Sequence, residues 1–243
     1  VSMISTSQFI DPLRMIKEPE ELALISRAME ISDHAFQVVT PLIEVGDTER
    51  SVAWKMEVVM REGGAEALAF ETIVASGPNA AKPHHHPSDR QICAGEPIVI
   101  DFGARYEGYN SDMTRTICLG EPDETFRIVY DTVLAAQMTA SATVLPTMTS
   151  GEADGIAREI IEQAGYGEQF GHSLGHGIGL AVHEYPRVGP RSDDPLADGT
   201  VFTIEPGIYI PGWGGVRIED TVIMEDGKVR SLTTSHKNEN PKV

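Results

Sequence analysis

Displaced by 104 positions, this sequence aligns with itself, and that repeat limits the folds open to it more than any other feature. Leu22 falls on Phe126, Ile25 on Val129, Met29 on Val133, Val52 on Ile156 and Met56 on Ile160. Gly95, Ile100 and Gly103 fall on the identical residues Gly199, Ile204 and Gly207, and Asp101 falls on Glu205. Each half reads as two helices followed by a hairpin. Pro19, tolerated where a helix begins, precedes Leu22, Ile25, Met29, Phe36 and Val39 at helical spacing, and Pro41 and Gly46 end that run. Asp47 or Thr48 can cap a second helix carrying Val52, Met56 and Val59, which stops at Gly63-Gly64. In the second half Pro122 and Asp123 precede Phe126, Val129, Val133 and Leu134, a helix that ends near Pro146. A shorter helix runs from about Glu152, with Ile156, Ile160 and Ile161, to Gly165. Residues 97–119 and 200–224 read as hairpins, turning at Glu107-Gly108 and within 211–215. The expectation is a duplicated α+β domain, pseudo-repeats over about 17–119 and 121–224, with a site between the halves.

Composition narrows the chemistry. The 243 residues are 41% hydrophobic and 23% charged, ordinary for a globular chain. No apolar run reaches the ~18 residues of a membrane span, and the start of the chain lacks the apolar core of a signal peptide. Cys93 and Cys118 are too few for a disulfide framework or a thiolate zinc cage, and a reducing cytoplasm is the compartment expected. Nineteen Lys and Arg against 37 Asp and Glu, a net charge of −18, argue against a nucleic-acid partner.

Each hairpin carries two carboxylates. A turn at Glu107-Gly108 sets position 101 opposite 114, so Asp101 and Asp112 share a face. Glu205 and Glu219 share one if the second turn centres near Trp213. Four facing carboxylates cannot all stay ionised without cations, and their charge matches two divalent metals. Oxygen-rich ligation suits Mn, Co or Fe better than a thiolate-seeking metal.

Two stretches supply histidine. Residues 171–186 hold His172, His176 and His183 among glycines that let a backbone approach a ligand closely. The pattern is neither HExxH nor a P-loop. Residues 76–87 form a Pro- and Gly-marked loop with His84, His85 and His86, which spacing alone does not rank.

Together these blocks resemble the pita-bread metallopeptidases and, within them, the Xaa-Pro peptidases (aminopeptidase P and prolidase). Residues 172–184 fit the signature HxxGHxxGLxxHE, and Ile100-Asp101-Phe102-Gly103, Ser111-Asp112-Met113-Thr114-Arg115, Ile204-Glu205-Pro206-Gly207 and Val216-Arg217-Ile218-Glu219-Asp220 fit the other blocks. The resemblance runs from about Met15 to Thr233. It implies a pita-bread fold with duplicated helix-helix-hairpin halves around a curved antiparallel sheet. It also implies two divalent ions per chain, Mn first with Co, Zn or Fe as alternatives, held by Asp101, Asp112, His176, Glu205 and Glu219. His84 and His183 then stand beside the substrate, His172 and Arg217 around it, and Glu205 serves also as proton carrier. The implied reaction is hydrolysis of the bond preceding proline in short peptides by a metal-bridging hydroxide, in a cytoplasmic enzyme compatible with a homodimer. Alternatives are a methionine-aminopeptidase-like enzyme, a metal-independent creatine-type hydrolase and a non-catalytic peptide- or protein-binding module of the same fold. Complete members carry a domain ahead of the catalytic one, so residues 1–14 are expected to be a connector and 15–243 the catalytic domain.

Overall fold

The computed structural model describes residues 10–238 and 240. In chain order the first half comprises α1 (Asp11–Met15), α2 (Pro19–Val39), α3 (Glu49–Glu62), β1 (Ala67–Leu68), β2 (Ile73–Ser76), β3 (Pro97–Phe102), β4 (Ala104–Tyr106), β5 (Tyr109–Asn110) and β6 (Met113–Cys118). The second comprises α4 (Glu124–Thr143), α5 (Ser150–Gln163), β7 (Gly175–Gly177), β8 (Glu184–Val188), β9 (Val201–Ile204), β10 (Gly207–Ile210), β11 (Gly214–Arg217), β12 (Asp220–Glu225) and β13 (Lys228–Ser231). Every strand pair is antiparallel, and the α+β class read from the sequence holds.

The helix ends are where cap chemistry puts them. Of the two caps considered for α3, Thr48 is the one used: its hydroxyl accepts from Ser51 N. Asp123 caps α4 by accepting from Phe126 N, and Thr149 caps α5 through Glu152 N. The 104-position repeat describes α2 and α4 well but slips at the second helix of each half. Residues 40–48 join α2 to α3, whereas the shorter segment 144–149 joins α4 to α5. The buried row Val52, Met56, Met60 therefore matches Ala153, Ala157, Ile161, while Ile156 and Ile160 are only partly buried.

Two large apolar cores result, beside a small cluster of Ala75, Ala80 and Val99. One is built on Ile25, Met29, Phe36, Val52 and Met56 under β3 and β6. The other is built on Phe126, Val129, Val133, Ala157 and Ile161 under β9 and β12. The halves meet along β6 and the β11–β12 connection, where Glu219 N donates to Thr114 O at 3.0 Å and Arg217 N to Thr116 Oγ1 at 3.0 Å. Of the expected connector, residues 1–9 lie outside the described residues. From Ile10 onward it forms α1, whose Arg14 pairs with Glu184, the residue after His183.

Candidate metal centre

The first hairpin has the register expected: Asp101 pairs with Thr114 across β3 and β6. Asp112 sits one residue before β6, on the same face and buried. The second hairpin pairs Ile204 with Asp220 and Gly207 with Arg217, which brackets Glu205 and Glu219 directly across from each other. Its turn centres on Gly212, since Ile210 pairs with Gly214, one residue before the expected Trp213. That single-residue difference sharpens the expectation, because it makes the two glutamates neighbours.

His176 reaches the same point from β7. A Cβ at Gly175 would overlap the carbonyl oxygen of Thr203, and one at Gly177 that of Tyr185, so only glycine lets β7 lie this close to its neighbours. The His176 Nδ1–H donates to Gly177 O at 3.1 Å, which turns the Nε2 lone pair toward the carboxylates, 3.4 Å from Glu205 Oε1 and 3.6 Å from Asp112 Oδ2. Asp112, His176 and Glu219 offer donor atoms within 4.8 Å of one another. Asp101 and Glu205 flank this trio rather than joining it, and Arg217 Nη2 donates to Asp101 Oδ2 at 2.5 Å.

The electrostatics suit a cation. Burial, then the neighbouring carboxylates, push Asp112 and Glu205 well above the usual carboxylate range and Glu219 up to about 8. Burial also lowers His176 to about 4, so its imidazole is neutral, as a ligand must be. Two carboxylate oxygens, Asp101 Oδ1 and Glu219 Oε1, are buried without a hydrogen-bond partner. Orphaned acceptors amid mutually repelling acids are what divalent cations would satisfy, and the donor set fits such ions.

His84, His172, His183 and Arg217 line the same cavity of about 650 Å³, to whose wall His85 and His86 also contribute. The three adjacent histidines separate in space. His85 turns inward to Glu49 at 2.8 Å, and His86 pairs with Glu71 at the surface. Burial lowers both His172 and His183; Arg217 and, to a smaller extent, Arg158 and His84 add to this at His172, while Asp101 opposes it at His183.

Sequence reasoning missed Tyr209. Arg217 Nη1 donates to its hydroxyl at 2.9 Å, and the hydroxyl in turn donates to His172 Nε2 at 3.0 Å. His172 therefore carries its proton on Nδ1, which donates to Ser173 O at 2.8 Å; it is neutral, lowered to about 4 chiefly by burial. Thr114 was missed as well. Its hydroxyl accepts from Arg217 Nε at 3.0 Å and donates to Glu219 Oε2 at 2.6 Å. Nothing local in the sequence marks either residue.

Glu49, on the first turn of α3, is buried and was also missed. Burial alone would raise its carboxyl, but hydrogen bonds from Ser88, His85, Ser76 and Asn79 hold it down at about 2. The stabilisation is therefore fully present above the ordinary carboxylate value of 4.5 and is lost as pH falls through about 2. We expect about 3 kcal/mol of acid-sensitive stability from this one group. Denaturant unfolding between pH 6 and 2.5 checks it: Glu49→Gln should lose markedly less stability over that interval than the parent. Equal losses would show that Glu49 is not the group responsible.

The model of metallopeptidase family M24 matches residues 23–226. A curated Xaa-Pro dipeptidase of Pyrococcus furiosus is 50% identical over 228 residues, covering 94% of this chain and 66% of that protein. The solved prolidase from Pyrococcus furiosus superposes with a TM-score of 0.92 at 50% identity, over 94% of this chain and 68% of that one. An X-Pro aminopeptidase from Thermotoga maritima gives 0.91 at 44% identity, over 98% and 67%. The chain thus spans about two thirds of the length of the curated relatives it matches. Three buried acids, a partly buried fourth and a neutral histidine, drawn from both halves of a duplicated fold within the stretch the family model covers, leave one conclusion: the chain belongs to metallopeptidase family M24.

Proposed function

We propose that this chain is the catalytic unit of an Xaa-Pro peptidase that hydrolyses the bond preceding proline in short peptides. The reading is carried by the convergence on one cavity of Asp101, Asp112, His176, Glu205 and Glu219 with His84, His172, His183 and Arg217. We read residues 15–243 as the catalytic domain and two divalent ions, Mn before Co, Zn or Fe, as its cofactors, the five ligands being those named above. Bound there, such ions would lower the pKa of water and provide a nucleophile at neutral pH.

The chain's own groups do the rest. Arg217, held charged by Tyr209 and the acids despite its burial, keeps Asp101 in place and, through Thr114, Glu219. His183 stands beside His176 at 4.3 Å between ring centres, available to donate to the developing oxyanion. Glu205, the longer counterpart of Asp101, is free to carry a proton from the nucleophile to the leaving nitrogen. Proline's amide nitrogen has no hydrogen to offer, so its recognition falls to shape, and Phe70, Ile73 and Val182 supply an apolar wall. No helix among the described residues is long and apolar enough to cross a membrane. We read the cytoplasm as the chain's compartment, since two cysteines are too few for a disulfide framework.

Metal analysis and substrate choice test the reading together. Chelated protein refilled with Mn or Co should approach two ions per chain and cleave Xaa-Pro dipeptides or Xaa-Pro-Yaa tripeptides. Cleavage confined to peptides with N-terminal methionine would assign the methionine-aminopeptidase reading instead. Two ions without hydrolysis would mark a binding module, and no ions at all would end the mechanism. His84→Ala and His183→Ala should each slow turnover about 10²-fold with metal content intact. Loss of metal from either variant would mean that its role is misassigned.

A further inference from the structure

The cavity's two flanking histidines are held very differently. No hydrogen bond holds the ring of His84 among the described residues, and the residue is exposed. Its place is therefore set by the backbone of the loop that carries it. That loop closes on a single buried carboxylate. Glu49 Oε1 accepts from Ser76 N at 2.8 Å, Ser76 Oγ at 2.8 Å and Asn79 Nδ2 at 3.1 Å. Glu49 Oε2 accepts from Ser88 N at 3.1 Å and Ser88 Oγ at 2.6 Å, and meets His85 Nε2 at 2.8 Å. The donors lie at both ends and in the middle of residues 76–88, so one side chain ties the whole loop to the N-terminal turn of α3. A helix N-terminus favours negative charge, which helps keep Glu49 ionised. Arg90 lies alongside, shared between Glu96 and Ser76 Oγ.

We propose that Glu49 is a positioning residue for His84: by anchoring His85, Ser76, Asn79 and Ser88, it fixes the stretch of backbone that presents His84 to the cavity. His85 is the critical link, because it follows His84 directly in the chain and its ring is held by the buried Glu49 carboxylate at 2.8 Å. The other ties near His84 are a 3.2 Å hydrogen bond from His85 N to Lys82 O, the surface pair of His86 with Glu71 at 2.9 Å and a 3.4 Å contact from Arg217 Nη1 to Pro83 O. None of them reaches the wall of the fold as deeply as Glu49 does. The catalytic meaning of this placement rests on the Xaa-Pro peptidase reading, but the placement itself does not.

Two measurements separate those matters. In metal-free protein, the His84 ring resonance, assigned by its disappearance in His84→Ala, should shift in Glu49→Gln. Amide hydrogen exchange over residues 76–88 should rise at least tenfold, with α4 and α5 unchanged. An unmoved resonance and unchanged exchange would overturn the proposal whatever the protein catalyses. In Mn-loaded protein with an Xaa-Pro dipeptide, Glu49→Gln should lower kcat at least tenfold without loss of metal. The double variant Glu49→Gln/His84→Ala should be no slower than His84→Ala alone. Multiplying losses would mean that Glu49 acts elsewhere. If Glu49→Gln fails to fold, His85→Gln and Ser88→Ala carry the same tests, since each removes one strut of the same anchor. A parent protein inactive on every Xaa-Pro peptide would refute the proposed function while the spectra still decide the role of Glu49.

Discussion

Glu205→Gln should leave a protein that retains at least one metal ion and binds product-like dipeptides, yet turns over substrate about 10³-fold more slowly. The substitution keeps the size of the side chain and one oxygen able to ligate, but the amide cannot accept a proton. Local structure supports reading the result this way. Glu205 N donates to Leu174 O at 2.8 Å, so the backbone is anchored to the strand region that carries His176 and should not move with the side-chain change. Its carboxylate is only loosely held within the protein: the nearest hydroxyl, Thr203 Oγ1, lies 3.4 Å away. Pro206 follows and interrupts strand pairing, leaving the side chain room to swing. Turnover within tenfold of the parent, a barrier change of only ~1.4 kcal/mol, would show that another group moves the proton and that Glu205 is a ligand alone.

Arg115→Met should be the most damaging single change to stability outside the apolar core, about 3–5 kcal/mol. Arg115 is almost fully buried and pairs with Asp220 at 2.8 Å. It also donates to the carbonyl oxygens of Thr114, Glu219, Ser235 and His236. Removing it takes a donor from each of those carbonyls and weakens the neutralisation of a buried carboxylate that also accepts from Gln137. The effect should extend to the C-terminal segment, which Asp33 grips from the other side through Thr234 and Ser235. Denaturant unfolding checks the magnitude, with Lys237→Met as the comparison. Lys237 also pairs with Asp220, at 2.6 Å, but is partly exposed, and its loss should cost under about 1 kcal/mol. Similar costs for the two would show that the buried hydrogen bonds to Arg115 contribute little.

What the sequence could reveal follows the range over which each signal acts. Helix caps, turn residues and strand alternation are local, so α2, α4, the first hairpin and its 101-to-114 register were legible. Charge repulsion among Asp101, Asp112, Glu205 and Glu219 was legible too, because the repeat sets Asp101 against Glu205 and each hairpin carries a second carboxylate on the same face. The slip of α5 was not, since it depends on the length of a connecting segment rather than on any periodic pattern. Tyr209, Thr114 and Glu49 were hidden for a different reason. Each works through partners distant in the chain or across the sheet, and a tyrosine in a strand or a glutamate in a first helical turn is ordinary without them. Ranking His84 over its neighbours required the family resemblance; in the structure all three line the cavity, with the rings of His85 and His86 paired to Glu49 and Glu71.

The five groups we propose as metal ligands are divided between the halves, Asp101 and Asp112 from one, His176, Glu205 and Glu219 from the other. Neither half can therefore offer a complete site, and ion affinity becomes a gauge of how well the two are docked. Severed in the segment before α4, the pieces should bind divalent ions with an apparent affinity that depends on the concentration of both fragments. The ion would then behave as a third component of the assembly, lowering the dissociation of the halves by the same free energy that docking adds to its own binding.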